Sequence, residues 1–265
     1  MTALSQTSWT LIQITDTHLM DQVDLEFVKM KPELSFQAVM HDIQQRHPNL
    51  DVIIHTGDLA QVPVAETYTR YLKSMQAFGI EHYQVPGNHD DADIFPFYNN
   101  QNAVHAVHLG TWSIVLLNSA VKGQIDGWID AEQLKQLDDI LLQFPKQHII
   151  IACHHHPFIM HSKWIDHHRL KNTEHLTDVL KRHNNIKMVI CGHVHQDSCK
   201  EWNGINFLST PATSVQFKPL SDTFALDDQA PGYRVLQLFA DGNFETAVRR
   251  VSLGQQKINL EISGY

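Results

Sequence analysis

Near its start the chain reads Leu11-Ile12-Gln13-Ile14-Thr15-Asp16-Thr17-His18-Leu19, an apolar run followed by an acidic residue and a histidine two positions apart. The apolar run predicts a buried β-strand over residues 10–14. Residues two apart in an extended segment point to the same side, so Asp16 and His18 can reach one metal ion together. The stretch therefore predicts a strand with a ligand pair at its carboxyl end, where open α/β sheets bind their ligands.

Apolar runs and helix-like stretches alternate along the rest of the chain as far as about residue 200. Near-continuous apolar runs, which suit strands buried on both faces, occur at residues 10–14, 52–55, 83–85, 113–117, 148–152 and 188–191. Stretches typical of helices lie between them at residues 35–46, 65–78, 131–144 and 173–183. This alternation predicts a layered α/β fold as far as about residue 200.

Beyond residue 200 the chain is richer in strands. The candidates are residues 205–208, 233–238 and 244–248, with the turn signals Asn203-Gly204, Pro231-Gly232 and Asp241-Gly242 around them. The sequence contains no internal repeat, low-complexity segment or clear linker. We therefore expect a single domain over residues 1–265, with a tail at about residues 254–265 packing on its surface.

Composition limits the classes of partner. The 265 residues include 20 Lys and Arg against 29 Asp and Glu, for a formal net charge of −9. No run of lysine or arginine is longer than the pair Arg249-Arg250. Nucleic acid and anionic membrane surfaces attract basic faces, so the charge disfavours both as partners. No stretch approaches the roughly 18 consecutive apolar residues of a membrane span, and the sequence leaves the oligomeric state open.

Cysteine usage and the N-terminal residues bear on the compartment. Cys153, Cys191 and Cys199 are an odd and sparse set, which argues against a disulfide framework and fits a reducing environment. Residues 1–9 are polar and lack the apolar core of a signal peptide. The expected compartment is the cytoplasm.

Five short polar motifs follow predicted strands, each at the strand's carboxyl end. They are Asp16-Thr17-His18, Gly57-Asp58, Gly87-Asn88-His89-Asp90, His154-His155-His156-Pro157 and Gly192-His193-Val194-His195. Any one of these motifs occurs by chance in many proteins, and a lone histidine at a strand end is more often structural than a ligand. All five together are hard to attribute to chance, because the carboxyl ends of the strands are where ligands gather.

The residue types in these motifs predict a pair of metal ions. Imidazole nitrogens suit Zn, Mn, Fe or Co better than Mg or Ca, which prefer oxygen ligands. Asp16 and Asp58 contribute −2, two divalent cations +4 and a bridging hydroxide −1, which leaves a site charge of about +1. Such a charge suits one phosphodiester anion. Metal pairs about 3.5–4 Å apart catalyse this kind of in-line displacement.

The motif set resembles that of the calcineurin-like metallophosphoesterases, and the resemblance runs over nearly the whole chain. Within that superfamily the sequence is most similar to the bacterial class III 3′,5′-cyclic-AMP phosphodiesterases. The stretches similar to that group are residues 11–19, 56–61, 215–219, 230–232 and 264–265. The metal motifs are highly specific for the superfamily, and the other stretches point to the subgroup with less force.

The resemblance implies a four-layer α/β/β/α sandwich of the metallo-dependent phosphatase type, with a dinuclear site at the sheet edge. One metal would be held by Asp16, His18, Asp58 and His195. The second would be held by Asp58, Asn88, His154 and His193. The residues in contact with substrate would be His18, Asn88, His89 and His195. The metals would be two divalent transition-metal ions, iron and manganese first, with zinc or cobalt as alternatives.

The implied activity is that of a metal-dependent phosphoric diester hydrolase converting 3′,5′-cyclic AMP to 5′-AMP through a metal-bridging hydroxide. Asn88 and His89 would be the catalytic residues, since His89 can stabilise the phosphoryl group and protonate the leaving oxygen. Two alternatives stay open. One is a related hydrolase acting on a glycerophosphodiester or a 2′,3′-cyclic nucleotide; the other is a non-catalytic metal-binding regulatory protein.

The triple histidine leaves one ligand to be chosen. Alignment on the trailing Pro157 favours His154 over His155 and His156 as the metal ligand. The role of a later cluster around Trp164 also stays open. This cluster is either a flap that stacks a nucleobase or an exposed loop. The other histidines of that cluster are His161, His167 and His168.

Several residues near the motifs receive a structural interpretation. Cys153 and Cys191 sit at strand ends, and free cysteine is often buried, so packing is the expected role of both. His55 and His148 lie within predicted strands and are expected in the core or at an edge. Phe217 is a candidate for the lining of the substrate pocket, together with Lys218.

Overall fold

The structure is a computed structural model that describes residues 7–97, 104–254 and 258–264. Within this part the strands are β1 (Ser8–Ile14), β2 (Val52–His55), β3 (His82–Gln84), β4 (His105–Leu109), β5 (Trp112–Leu116), β6 (His148–Ala152), β7 (Ile186–Cys191), β8 (Ser198–Trp202), β9 (Ile205–Ser209), β10 (Gln216–Phe217), β11 (Leu226–Asp227), β12 (Gly232–Phe239) and β13 (Phe244–Arg250). The helices are α1 (Pro32–Arg46), α2 (Ala65–Phe78), α3 (Ala131–Gln143), α4 (Lys163–Asp166) and α5 (Thr173–Leu180).

These strands form two large sheets and a two-stranded ribbon of β10 and β11. The first sheet has the order β13-β12-β1-β2-β3, in which β1, β2 and β3 run parallel. The second has the order β4-β5-β6-β7-β9-β8, in which β5, β6, β7 and β9 run parallel. In each sheet the parallel strands bring their carboxyl ends, and the loops that follow them, to one edge.

Three apolar clusters separate four layers. Helices α1 and α2 cover the outer face of the first sheet, where Phe36 packs in one cluster with Ile12. A second cluster lies between the sheets and joins Leu11 to Ile150. The third joins the second sheet to α3 and α5 through residues such as Leu137. This α/β/β/α arrangement confirms the predicted fold class, and the cluster shared by both sheets supports the prediction of a single domain.

Strand β1 shows why the opening stretch is apolar on both sides. Alternate side chains of a strand point to opposite faces, so Ile12 and Ile14 face the helices while Leu11 faces the second sheet. The buried polar exception is Gln13, whose amide donates to Thr56 Oγ1 at 2.9 Å and to the Cys191 carbonyl at 3.0 Å. Because both faces of β1 are covered, the strand lies in the interior of the protein and its register is fixed.

The helices begin and end at residues with suitable local chemistry. Helix α1 starts with Pro32, which has no N–H to leave unsatisfied. The Asp130 side chain caps α3 by accepting from the Gln133 N–H at 2.7 Å. Helix α2 ends at Phe78 and is followed by the cap residue Gly79, which has a left-handed conformation with a φ of 65°. Among the described helices none is long and apolar enough to cross a membrane.

The predicted elements are present, with ends that differ by up to three residues. Helix α5 ends at Leu180, whereas the sequence pattern extended it to residue 183. Strands β4 and β8 were not predicted; they lie at the two edges of the second sheet and are only partly buried. An edge strand faces solvent and needs no continuous apolar run, so it gives a weak sequence signal.

The described part of the predicted tail, residues 258–264, lies against the body of the protein. Ile258 and Ile262 pack on a cluster of buried apolar residues that includes Val215 and Phe217. Residues 255–257 and Tyr265, which also belong to the predicted tail, lie outside the described residues.

Candidate metal centre

The structure brings the seven predicted ligands to the edge where the carboxyl ends of both sheets meet. Loops after β1, β2 and β3 of the first sheet carry four of them, and loops after β6 and β7 of the second sheet carry the other three. The seven residues are Asp16, His18, Asp58, Asn88, His154, His193 and His195. All are buried except Asn88, which is half-buried. The site therefore exists only where the two sheets pack together.

One group of ligand atoms gathers around Asp16. His195 Nε2 lies 3.2 Å from Asp16 Oδ1, and His18 Nε2 lies 3.3 Å from His195 Nε2. His18 Nε2 is also 4.0 Å from Asp16 Oδ1 and 3.8 Å from Asp58 Oδ2. We name Asp16, His18 and His195 the first half of the centre.

A second group gathers around His154. Its Nε2 atom lies 3.3 Å from Asp58 Oδ2, 3.2 Å from Asn88 Oδ1 and 3.2 Å from His193 Nδ1. We name Asn88, His154 and His193 the second half of the centre. Asp58 belongs to neither half alone, because its Oδ2 atom faces both His18 and His154.

These spacings fit a pair of bound transition-metal ions. Two ligands bound to one ion at about 2.0–2.2 Å lie about 3 Å apart. The atoms of each half come close to that separation. The Oδ2 atom of Asp58 lies between the halves, which suits a bridging carboxylate. Nitrogen and oxygen ligands in this mixture favour a transition metal.

Hydrogen bonds to the far side of three rings leave their Nε2 atoms directed into the centre. The Nδ1 atom of His18 lies 2.8 Å from Gln61 Oε1. In the same way His154 Nδ1 lies 2.7 Å from the Thr56 carbonyl and His195 Nδ1 lies 2.7 Å from the Val215 carbonyl. An Nδ1–H donated to such an oxygen orients the ring and leaves the Nε2 lone pair for a metal.

The three histidines of the triple motif have different surroundings. His155 has both ring nitrogens engaged, with Nδ1 at 2.9 Å from Ser119 Oγ and Nε2 at 3.0 Å from the Ile125 carbonyl. His156 stacks on His193 and places Nε2 at 3.6 Å from Asp166 Oδ1. Only His154 directs a ring nitrogen toward Asp58 and Asn88 together, which supports the predicted choice among the three.

Five of the seven candidate ligands have left-handed backbone conformations, which non-glycine residues rarely adopt. The φ angles are 53° for Asp16, 49° for His18, 54° for Asp58, 68° for His193 and 51° for His195. Each such residue costs free energy and persists only when its surroundings enforce it. Strain concentrated on the same residues that carry metal-binding atoms is typical of a functional site.

The glycines of the motifs allow a close approach between neighbouring loops. A Cβ atom added at Gly87 would lie 2.1 Å from Asp58 Oδ1. A Cβ added at Gly57 would lie 2.3 Å from His154 Nδ1, and its φ of 98° also favours glycine. A side chain at position 57 would therefore displace the candidate ligand His154.

The protonation states of the centre differ between residues. Burial lowers the pKa of His18 to about 3, so this ring is neutral. Burial would also lower the pKa of His154, but the negative charge of Asp58 outweighs it and raises the pKa to about 9. Burial acts against the charge of Asp58, yet its pKa is held well below the usual range by the charge of His154. Asp58 and His154 thus form an ion pair.

The carboxylate of Asp90 holds in place the loop that carries Asn88 and His89. Asp90 accepts from the backbone N–H groups of Leu59, Ala60 and Gly87 at 3.2, 3.2 and 2.9 Å. Burial, and then the nearby charge of Asp58, raise the pKa of Asp90 to about 7. The Asp90 contacts tie the loop after β3 to the loop after β2, which fixes Asn88 relative to Asp58.

A cavity of about 410 Å³ opens directly onto the centre. Its polar end is lined by Asp58, Asn88, His89, His193 and His195, and its remaining wall by Ile125, Trp164, Ile165, His168, Phe217, Phe224 and Gly264. The candidate substrate contacts Asn88, His89 and His195 therefore face the cavity. His18 is fully buried beneath them and is not part of the lining.

Comparison with known families agrees with this geometry. The model of the calcineurin-like phosphoesterase family matches residues 10–197, a range that contains all seven candidate ligands. The chain belongs to the calcineurin-like phosphoesterase family. The resemblance inferred from the motifs is thus confirmed.

Relatives of this family member share nearly its full length. The 3′,5′-cyclic adenosine monophosphate phosphodiesterase CpdA of Haemophilus influenzae is 37% identical over 259 residues, covering 96% of this chain and 94% of that protein. The protein of the same name from Vibrio vulnificus is 36% identical over 266 residues, covering 99% and 97%. Among solved structures, a dimetal phosphatase from Danio rerio superposes with a TM-score of 0.65 at 15% identity, covering 93% and 100%, a likeness of fold.

Some residues of the site were not assigned from the sequence. Gln61 and Val215 lie in stretches that suggested the subgroup, but their roles as hydrogen-bond partners of His18 and His195 were not predicted. Phe217, expected only as a pocket residue, stacks on His195 with ring centroids 3.9 Å apart. Lys218, the other candidate for the pocket, is exposed and is absent from the cavity lining.

Proposed function

We propose that this protein is a dinuclear metal-dependent phosphodiesterase that hydrolyses 3′,5′-cyclic AMP to 5′-AMP. The proposal rests on one observation. Two carboxylates, an amide and four imidazoles lie together beside one cavity, in two halves that share Asp58. The names of the relatives, cyclic-AMP phosphodiesterases with sequence similarity along nearly the whole chain, supply the substrate.

In this proposal Asp16, His18 and His195 hold one metal ion together with Asp58. Asn88, His154 and His193 hold the other, again with Asp58. Two bound divalent ions supply Lewis acidity toward the phosphate and a nucleophile near neutral pH. Hydrogen bonds to backbone and side-chain oxygens hold the rings of His18, His154 and His195 in place, so little rearrangement of these ligands would be needed during the reaction.

His89 and Asn88 act on the substrate itself. Both residues line the cavity, and the backbone N–H of His89 donates to Asp58 Oδ1 at 2.9 Å, which places the His89 ring beside the bridging carboxylate. The ring of His89 also contacts His18 edge-on, with centroids 4.9 Å apart. The oxygen of a water molecule bonds to phosphorus, the bond to the 3′ oxygen breaks, and His89 gives a proton to that oxygen. The proton that the water loses replaces the one that His89 has given. The products are 5′-AMP with a free 3′ hydroxyl.

The metals and the compartment are part of the proposal. Four imidazoles beside two carboxylates fit iron, manganese, zinc or cobalt, and the family resemblance puts iron and manganese first. All three cysteines are free, which supports a reducing compartment such as the cytoplasm.

The test is to purify the protein, count its bound metals and measure its rates on a panel of phosphate esters in the presence of Mn²⁺. The panel is 3′,5′-cyclic AMP, 2′,3′-cyclic AMP, a glycerophosphodiester and a phosphomonoester. We expect about two metals per chain and the highest kcat/KM with 3′,5′-cyclic AMP. A preference for another diester would overturn the substrate but keep the enzyme class, and a metal-loaded protein inactive on all four would overturn catalysis.

A further inference from the structure

One wall of the cavity is largely aromatic. Trp164 and Ile165 come from the short helix α4, Phe217 from β10, and Phe224 from the segment between β10 and β11. The Trp164 ring lies 4.8 Å from the Phe217 ring and 5.1 Å from the Phe224 ring, centroid to centroid, and both contacts are edge-on. We call Trp164, Phe217 and Phe224, together with the aliphatic Ile165, the aromatic wall.

Hydrogen bonds and an ion pair hold the aromatic wall in place. The Ser221 N–H donates to Ser162 Oγ at 3.2 Å, and Lys163 Nζ lies 2.8 Å from Asp222 Oδ2. These contacts join the start of α4 to the segment that carries Phe224. Asp166 accepts from the Met160 N–H at 2.6 Å and so closes the loop before α4. The wall is therefore built before any ligand arrives.

The aromatic wall is nevertheless incompletely covered. Trp164 and Phe224 are half-buried, whereas Ile165 and Phe217 are buried. The indole N–H of Trp164 has no acceptor among the described residues, so the ring is held by apolar packing alone. The half-buried Trp164 ring lines the cavity, and covering it with a flat apolar group gains free energy by burial.

The charge of the cavity limits what can cover the wall. No lysine or arginine belongs to the lining formed by the described residues. Apart from His168, whose Nδ1 atom lies 3.1 Å from Asp126 Oδ1, the titratable groups of this lining are His89 and residues of the metal centre. A ligand with phosphate at both ends would leave one anion without a partner. A ligand with a single phosphate and an uncharged ring system matches both ends of the cavity.

We infer that the aromatic wall binds the purine base of the substrate by stacking, while the phosphate lies at the metal centre. The inference rests on the proposed function, and it assigns Trp164 and Phe224 as residues that determine specificity for a nucleobase. Stacking on an aromatic side chain accepts any base but favours larger ring systems, because they bury more surface. The wall therefore selects a nucleoside cyclic phosphate over a diester without a ring, and a purine over a pyrimidine.

The experiment compares Trp164→Ala and Trp164→Phe with the metal-loaded wild-type enzyme on two substrates. One substrate is 3′,5′-cyclic AMP. The other is the glycerophosphodiester of the panel above, which has no aromatic ring. We expect Trp164→Ala to raise KM for cyclic AMP by about 10- to 100-fold, the usual range for loss of one stacked base, and to leave kcat/KM for the glycerophosphodiester unchanged. Trp164→Phe should retain most of the cyclic-AMP activity.

The matched control is Trp128→Ala. Trp128 is an exposed tryptophan that packs beside His175 and does not line the cavity, so its removal should change neither substrate. Phe224→Ala is the second variant on the wall, with an expected effect in the same direction as Trp164→Ala. Phe217 is left unchanged because it stacks on the candidate ligand His195.

The outcomes separate this inference from the proposed function. If the wild-type enzyme hydrolyses cyclic AMP and both Trp164→Ala and Phe224→Ala keep its KM, the aromatic wall does not bind the base and the proposed function stands. If both substrates lose activity together, the wall only supports the metal centre, which a fall in metal content would also reveal. If wild type does not turn over cyclic AMP, the proposed function fails first. A larger increase in KM for cyclic AMP than for cyclic CMP supports the preference for purines.

Discussion

The two halves of the metal centre have different electrostatics although they share Asp58. In the first half His18 is neutral, because burial lowers its pKa to about 3. In the second half His154 carries a proton, because Asp58 raises its pKa to about 9 against the effect of burial. The first half thus offers a free imidazole lone pair, and the second half holds an ion pair of Asp58 and His154 that a cation must replace.

This difference shows how the metal-free protein tolerates two carboxylates buried side by side. A proton on His154 supplies the positive charge that a metal ion would otherwise provide. Metal binding at the second half therefore releases a proton, whereas binding at the first half does not require loss of a proton from His18. The two halves should fill in order, the first before the second, as pH rises from the acid side.

The largest effect is expected where the two halves join. Asp58→Ala removes the carboxylate that faces both His18 and His154, so both ions should be lost and kcat should fall by about 10³-fold or more. Metal content and kcat are measured on the same sample. Asp139→Ala, which removes an exposed carboxylate paired with Lys135, is the control. Retention of one tightly bound ion in Asp58→Ala would mean that the halves are independent.

A smaller but still large effect is expected from a residue that belongs to neither half. His89→Ala removes the proposed proton donor, so kcat should fall by about 10²- to 10⁴-fold. Metal content should stay near that of wild type, since the seven candidate ligands are unchanged. Parallel metal analysis and kinetics check this prediction. Full activity in His89→Ala would remove its catalytic role and leave the two-half description intact.

The pH dependence of metal binding tests the comparison directly. Since His154 is protonated below a pKa of about 9, lowering the pH opposes binding at the second half, and raising the pH favours it. Between pH 6.5 and 8.5 the affinity of that half should rise by about 100-fold, tenfold for each proton displaced per pH unit. At the first half, His18 should contribute no such rise, because it is already neutral in this range. Titration of the metal-free protein with Co²⁺ at several pH values measures both affinities, and equal slopes would refute the assigned difference.

The smallest expected effect concerns one hydrogen bond of the first half. Gln61→Ala removes the acceptor 2.8 Å from His18 Nδ1, which should lower metal affinity at that half by about tenfold. The second half should keep its affinity. Gln45→Ala is a matched control, because Gln45 contacts the ring of His41 at 2.8 Å on the exposed face of α1. An equal loss at both halves in Gln61→Ala would argue that Asp58 transmits the change.

Much of the fold and of the metal centre could be predicted because the signals are local. Strand β1 is apolar on both faces, and its motif of Asp16 and His18 follows directly in sequence. The edge strands β4 and β8 could not be predicted in the same way, since partial exposure removes the continuous apolar run. The choice among His154, His155 and His156 depends on Ser119 and the Ile125 carbonyl, which come close only in the folded chain.

The cavity wall was the least predictable part. The sequence did not decide whether Trp164 belongs to a flap that stacks a nucleobase or to an exposed loop. No local pattern relates α4 to the ribbon of β10 and β11. That relation depends on contacts between segments about 60 residues apart, such as Lys163 with Asp222. Side chains that meet only through such long-range contacts leave no periodic pattern in the sequence.

The hydrogen bonds behind the histidine rings also have an evolutionary consequence. His195 is oriented by the main-chain oxygen of Val215, an atom that every amino acid supplies. His18 is oriented by the side chain of Gln61, which few amino acids can replace. Among descendants of this protein, substitutions by other apolar residues should therefore accumulate at position 215, while position 61 should remain restricted to residues that offer an acceptor at the same reach.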